Sequence, residues 1–200
     1  MDYQGRNFAI WPPYEAFYIQ SMLFNARSAM RSVEFLAELM QKVTEQDIVK
    51  PIRDVGFSVV LDRVQNIVLH GGSLSRFLWP VSTCRERGDY LITCLEVSES
   101  SPLKSRKLRN SIEHFDERLD NYFKKNIAGT IFPEYVGTTP KSDGVPVHFF
   151  RAYFIDTGSF FLLGEEYNIP EIVKEISRIH TLLESSDRSG GRLRIEPQQE

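Results

Sequence analysis

The stretch YEAFYIQSMLFNARSAMRSVEFLAELMQK, residues 14–42, runs without a single Gly or Pro. Within it Phe17, Met22, Phe24, Ala29, Val33, Leu36 and Met40 recur at mixed three- and four-residue spacing. That period lays apolar side chains along one side of an α-helix, so the stretch predicts one long amphipathic helix. Such a helix needs partners to cover its apolar side, and the residues that follow supply them.

Pro51 suits the first turn of a second helix, whose apolar side is Val55, Val59, Val60, Val64, Ile67 and Val68 up to His70. Gly71-Gly72 are expected to end or bend it before SLSRFLWP closes at Pro80. A third helix, roughly Cys84 to Val97, brings Leu91, Ile92 and Leu95 to one side. After the serine-rich turn SESS, Ser101 as N-cap and Pro102 at the first helical position predict a fourth helix running to about Asn126. Its apolar side is Leu108, Ile112, Phe115, Leu119 and Tyr122. From Gly129 to Gly144 the texture of Gly, Pro, Thr and Asp reads as a long loop. VHFFRAYFIDTGSFFLLG, residues 147–164, is two β-branched and aromatic runs joined at Asp156 to Gly158, a hairpin signal. A last helix, about Pro170 to Leu183, packs Ile172, Val173, Ile176, Ile179 and Leu183. The expected fold is mainly α, a four- or five-helix up-down bundle in one domain over residues 1–185. The hairpin is an insert at about 145–164 before the last helix, and residues 186–200 form a flexible tail.

Composition bounds the function classes. At 42% hydrophobic and 26% charged residues, the chain has neither the low hydrophobicity of disorder nor the apolar runs of a membrane protein. Its N-terminus lacks the basic start and apolar run of a signal peptide, so a cytoplasmic protein without a membrane partner is expected. Cys84 and Cys94 are too few for a disulfide framework and too far apart for a zinc knuckle, and are expected as reduced, half-buried thiols. A net charge of −3 argues against coating nucleic acid by bulk electrostatics, so any phosphate contact must come from a local patch.

One such patch exists. KSRKLRNSIEHFDERLD, residues 104–120, begins with Lys104, Arg106, Lys107 and Arg109 and turns acidic at Glu113, Asp116, Glu117 and Asp120. That order opposes the helix macrodipole, which favours acids first. A cationic helix start with free N–H groups suits phosphate. On a helical wheel Arg109, Asn110, Glu113, His114 and Glu117 lie opposite the apolar side, as on any solvated helix back. Chemically, however, Arg109 offers a permanent forked donor set and His114 titrates near neutrality, the minimum for phosphodiester cleavage without metal.

Arg109-Asn110 followed by three residues and His114 resembles the R-x4-6-H signature of the HEPN superfamily of helical-bundle domains. The resemblance implies a homodimer whose motifs meet in a cleft, and a metal-independent, cofactor-free endoribonuclease of a toxin or defence system. The 2'-hydroxyl of the RNA substrate would be the nucleophile. Arg109 would clamp the phosphate, His114 would act as general acid and base, and Asn110 would position the substrate. Lys104, Arg106, Lys107 and Glu113 would line the substrate path, with Glu113 also placed to pair with Arg109 or tune His114. A regulatory partner such as an antitoxin fits that setting.

Other readings compete. Arg63 and His70 also satisfy R-x6-H, on the second helix. His70 is otherwise expected to meet helix-end carbonyls, and His148 and His180 to be structural. HGGSLSR lacks the lysine of a P-loop, Glu165-Glu166 reads as solvated turn charge, and no G-x-S-x-G or H-E-x-x-H occurs. Some HEPN members are noncatalytic scaffolds, and here the alternative is an interaction module. Its hairpin, with Phe149, Phe150, Phe160 and Phe161, would bind another protein.

Overall fold

The computed structural model describes residues 9–44, 47–105, 107–108, 115–124, 129–140, 144 and 146–193. Among them six α-helices and a small four-stranded sheet form, with 62% helix, so the mainly α class holds.

Helix α1, Glu15–Met40, follows one 3-10 turn at Pro12–Tyr14. Its bounds match expectation, and of the expected apolar set Met22, Ala29 and Leu36 are buried, but the two phenylalanines are not. Ile19, Met22, Leu23, Ala26 and Ala29 are fully enclosed, whereas Phe17 and Phe24 are 70% and 66% exposed. At 100° per residue the enclosed set centres almost opposite the two phenylalanines. The helix therefore carries two apolar stripes, and tertiary packing took the aliphatic one, whose alanines admit close neighbours.

Helix α2, Val49–Val55, stops at Gly56, whose φ of +93° is a conformation side-chain-bearing residues rarely adopt. Helix α3, Phe57–Leu78, then runs straight through Gly71-Gly72, where an end or bend was expected. A Cβ on Gly71 would sit 3.4 Å from both Ile176 and Leu103 and 3.5 Å from Ile172. A Cβ would thus be in ordinary contact there, and Gly71 lies in a packed helix interface rather than at a turn. The helix tolerates a cost of about 1 kcal/mol per glycine because it buries Val64, Ile67, Val68 and Leu74. Helix α4, Arg85–Cys94, leaves Cys94 half-buried as expected but Cys84 exposed.

Ser101 caps as predicted, its hydroxyl accepting from the Leu103 N–H at 3.4 Å. What it opens, however, is a 3-10 turn at Pro102–Lys104, and at Ser105 the chain leaves helical angles (φ −58°, ψ 126°). The expected continuous fourth helix is therefore interrupted near its start. Tertiary anchors explain this, since Leu103 is fully buried and the Ser101 hydroxyl donates to Glu175 Oε1 at 3.2 Å. Helix α5, Phe115–Phe123, carries the later part of that pattern.

The expected hairpin insert is a four-stranded sheet instead. Strands β1, Thr130–Gly137, β2, Val147–Phe154, β3, Ser159–Leu162, and β4, Glu165–Asn168, lie in the order β1-β2-β3-β4. The turn at Asp156 to Gly158 does join an antiparallel pair, with Phe154 opposite Ser159. Strand β1, however, comes from the stretch read as loop and pairs parallel to β2, Thr130 with Val147 through Gly137 with Phe154. Glu165-Glu166 belong to β4 rather than to a solvated turn.

Helix α6, Ile169–Arg188, starts where the Asn168 side chain accepts from the Glu171 N–H at 3.1 Å. It extends beyond Leu183, and the residues after it fold back on α1. Glu15, only 2% exposed, accepts from the Tyr90 hydroxyl at 3.0 Å, from Arg192 Nε at 2.7 Å and from the Leu193 N–H at 2.9 Å. Residues 186–193, expected in the mobile tail, thus end on a buried carboxylate. Helices α1, α3 and α6 pack pairwise around one core, which continues to Val136, Tyr153, Phe160, Leu162 and Tyr167 of the sheet.

Candidate functional site

Arg106, Arg109, Asn110, Glu113 and His114 lie outside the described residues. The two other members of the basic patch are both engaged by acids. Lys104 forms an ion pair with Glu99, and Lys107 Nζ lies 2.6 Å from Glu165 Oε2. The hydrogen bond to Glu165, followed by its charge, raises the Lys107 pKa above the ordinary lysine value. Exposed pairs of this kind add little stability. A phosphate arriving here would meet lysines whose charge is already partly balanced by a carboxylate.

The sheet offers a different surface. Strand alternation puts Val136, Tyr153, Phe160 and Tyr167 toward the helices, so Phe160 is core rather than binding surface. Phe150 packs edge-on against Phe115 and Tyr122 of α5, at 6.3 and 6.4 Å between ring centroids. Of the four hairpin phenylalanines, Phe149 and Phe161 remain. They join Phe132, Tyr135 and Phe154 in a continuous ring cluster. Phe132 stacks on Phe149 at 5.5 Å, Tyr135 meets Phe149 at 5.1 Å, and Phe154 bridges Phe149 and Phe161 at 5.3 and 5.2 Å. Phe132 stays 39% exposed, and Ile131 and Val147 beside it are exposed as well. Ile131 and Phe132 lie on β1, an edge strand, and Val147 opens its neighbour β2. Sequence reading missed β1 because Pro133 and the flanking glycines suggested loop. Its signal was the Ile131-Phe132 and Tyr135-Val136 pairs on either side of a proline that an edge strand tolerates.

The seam between α1 and α3 holds the second histidine candidate. Tyr18 meets Phe77, Asn25 meets His70, and Phe35 lies under Arg63, so the two helices run antiparallel. Arg63 and His70 are therefore engaged at separate places and do not converge. Asn25 Nδ2 donates to the Ser21 carbonyl at 2.9 Å, which turns Oδ1 toward His70 Nδ1 at 3.1 Å. His70 thus carries its proton on Nδ1, away from helix-end carbonyls. Burial first, then the Arg31 charge, lowers its pKa below the usual histidine value. Farther along the seam Tyr14, Phe17, Tyr18, Ser21 and Phe77 line a cleft of about 410 Å3. The Arg87 guanidinium lies over the Tyr18 ring at 5.6 Å.

Among the described residues no group of three or more His, Cys, Asp or Glu side chains is placed to hold a metal ion. Among them, too, no helix is long and apolar enough to cross a membrane. No family model matches the chain, and neither a curated protein nor a solved structure is detectably similar to it.

Proposed function

We propose that the chain is a noncatalytic helical interaction module, similar to the scaffold members of the HEPN superfamily, that binds another protein through the open face of its sheet. The up-down bundle expected from sequence would be the frame, with α1, α3 and α6 as its long members. One observation carries this reading: the touching rings of Phe132, Tyr135, Phe149, Phe154 and Phe161, with the apolar rim of Ile131, Phe132 and Val147 beside them. An apolar rim beside a cluster of aromatic rings suits a protein interface, where aromatic residues are enriched. The paired states of Lys104 and Lys107 support the same choice.

The test compares Ile131→Glu/Phe132→Glu with Lys104→Ala/Lys107→Ala. A tagged chain captures its partner from native cells, and the captured protein is then purified and titrated against each variant. Binding lost at the sheet variant and kept at the lysine variant, with melting temperatures unchanged, is the expected result. Binding that ignores the sheet and follows the lysines overturns the proposal.

The second reading, a metal-independent endoribonuclease acting on RNA, rests on the motif Arg109-Asn110-x3-His114. In it Arg109 stabilises the charge developing on phosphorus and His114 moves the proton. Cleavage that His114→Ala abolishes would favour it.

A further inference from the structure

The outer side of α1 carries a pattern that neither reading uses. Tyr14, Phe17, Ser21, Phe24, Ser28 and Arg31 follow one another at alternating spacings of three and four residues, on the side of the helix away from its core. They form two rows of period seven, Phe17-Phe24-Arg31 and Tyr14-Ser21-Ser28, the repeat of a helix that winds around another helix. One row is large, and at Ser21 and Ser28 the other is small. Among the described residues α3 and α6 flank this ridge without covering it: Phe77 of α3 shares a cleft with Tyr14, Phe17 and Ser21, and His70 lies 6.5 Å from Phe24, yet Tyr14, Phe17 and Phe24 stay 55%, 70% and 66% exposed.

We infer that this ridge is a homodimer interface in which the α1 helix of a second copy lies antiparallel, Phe17 opposite the partner's Ser28 and Ser21 opposite the partner's Phe24. Each phenylalanine then meets a serine, and the two-fold axis returns the same contacts from the other copy. Arg31 falls opposite the partner's Tyr14, an arginine on an aromatic ring. The two Arg31 side chains stand about 25 Å apart along the axis, beyond the screening length of about 8–10 Å. A parallel pair would bring them together, so charge selects the antiparallel arrangement.

The area suits a modest dimer. At about 200 Å2 per aromatic side chain, the exposed fractions of Trp11 (45%), Tyr14 (55%), Phe17 and Phe24 leave roughly 450 Å2 uncovered per copy. A symmetric pair could bury at most roughly 900 Å2 in rings, just under the ~1,000 Å2 that marks a specific interface. This dimer differs from the motif-to-motif pairing that the HEPN resemblance implies, because Lys104 and Lys107 belong to the segment joined to α6 and β4. It also stands independently of what the sheet binds.

The test is sedimentation of the full chain over a concentration series, wild type against Phe17→Glu and Phe24→Glu. Both side chains are largely exposed, so the variants keep the melting curve of dilute, monomeric wild type. Wild type should shift from monomer to twice the mass as concentration rises, and each variant should stay monomeric. The register is read by mixing Phe17→Cys and Ser28→Cys chains, each carrying Cys84→Ser and Cys94→Ala. In the inferred register identical positions lie about 16 Å apart. A disulfide should therefore form in the mixture and in neither chain alone. A wild type that stays monomeric, glutamate variants that still dimerise, or cross-linking that ignores mixing each overturns the inference.

Discussion

The molecule presents aromatic side chains in two places, and they are arranged differently. On the sheet Phe132, Tyr135, Phe149, Phe154 and Phe161 touch one another, so most of each ring is already covered and only a rim is open. On α1 the rings of Trp11, Tyr14 and Phe17 meet only in sequence, at 5.1 and 6.4 Å, and Phe24 stands apart beside His70. Rings that cover each other contribute to folding before any partner arrives. Rings separated by serines contribute almost nothing until something lies against them. An aromatic count therefore says little about function, whereas what each ring already touches says a good deal.

Substitutions sharpen or break that contrast. Phe160, fully enclosed behind the sheet, sets the scale: Phe160→Ala should cost about 3–5 kcal/mol in chemical denaturation. Phe149→Ala should cost less, about 1–2 kcal/mol, because its neighbours are rings at the surface. Phe24→Ser should change the unfolding free energy of dilute, monomeric protein by less than about 0.5 kcal/mol. A loss at Phe24 as large as that at Phe160 would mean that the α1 ridge is part of the monomer core.

The smallest effect concerns His70, beside the ridge. Its folded pKa lies below the unfolded value, so the native state binds fewer protons there than the unfolded state. Its contribution is complete above the unfolded pKa of about 6.5 and falls away as pH drops toward the folded value. Wild type should thus lose more stability than His70→Gln between about pH 7.5 and about pH 5.5. Equal losses would show that His70 gains no neutral-form preference from its site between Asn25 and Arg31.

The same two places show how far the sequence could be read. The long helices were legible because a 3.6-residue period with few glycines leaves little choice, and α1, α3 and α6 form where that period runs. Which stripe of α1 turns inward was not, since Phe17 and Ile19 are equally apolar and only the neighbouring helices decide. The Ser101 cap was legible as local chemistry, but its short 3-10 turn follows from Leu103 and Glu175, contacts made across the fold. Strand β1 hid behind Pro133, and parallel pairing leaves no turn signal of the kind that revealed Asp156 to Gly158. The buried Glu15 could not be anticipated either. Its partners Tyr90, Arg192 and Leu193 are distant in sequence, and nothing around position 15 announces a carboxylate that must be satisfied inside. Of the candidate site, the residue types of the basic patch were readable, whereas the carboxylates that meet Lys104 and Lys107 were not.

The most direct measurement on the central claim, a binding module rather than a nuclease, is incubation of a 5'-labelled structured RNA with wild type, Arg109→Ala and His114→Ala in the presence of EDTA. An interaction module leaves the RNA uncut in all three, or cut equally by a contaminant that follows the purification. Cleavage by wild type alone, leaving cyclic-phosphate ends, would contradict the account and assign the function to Arg109 and His114.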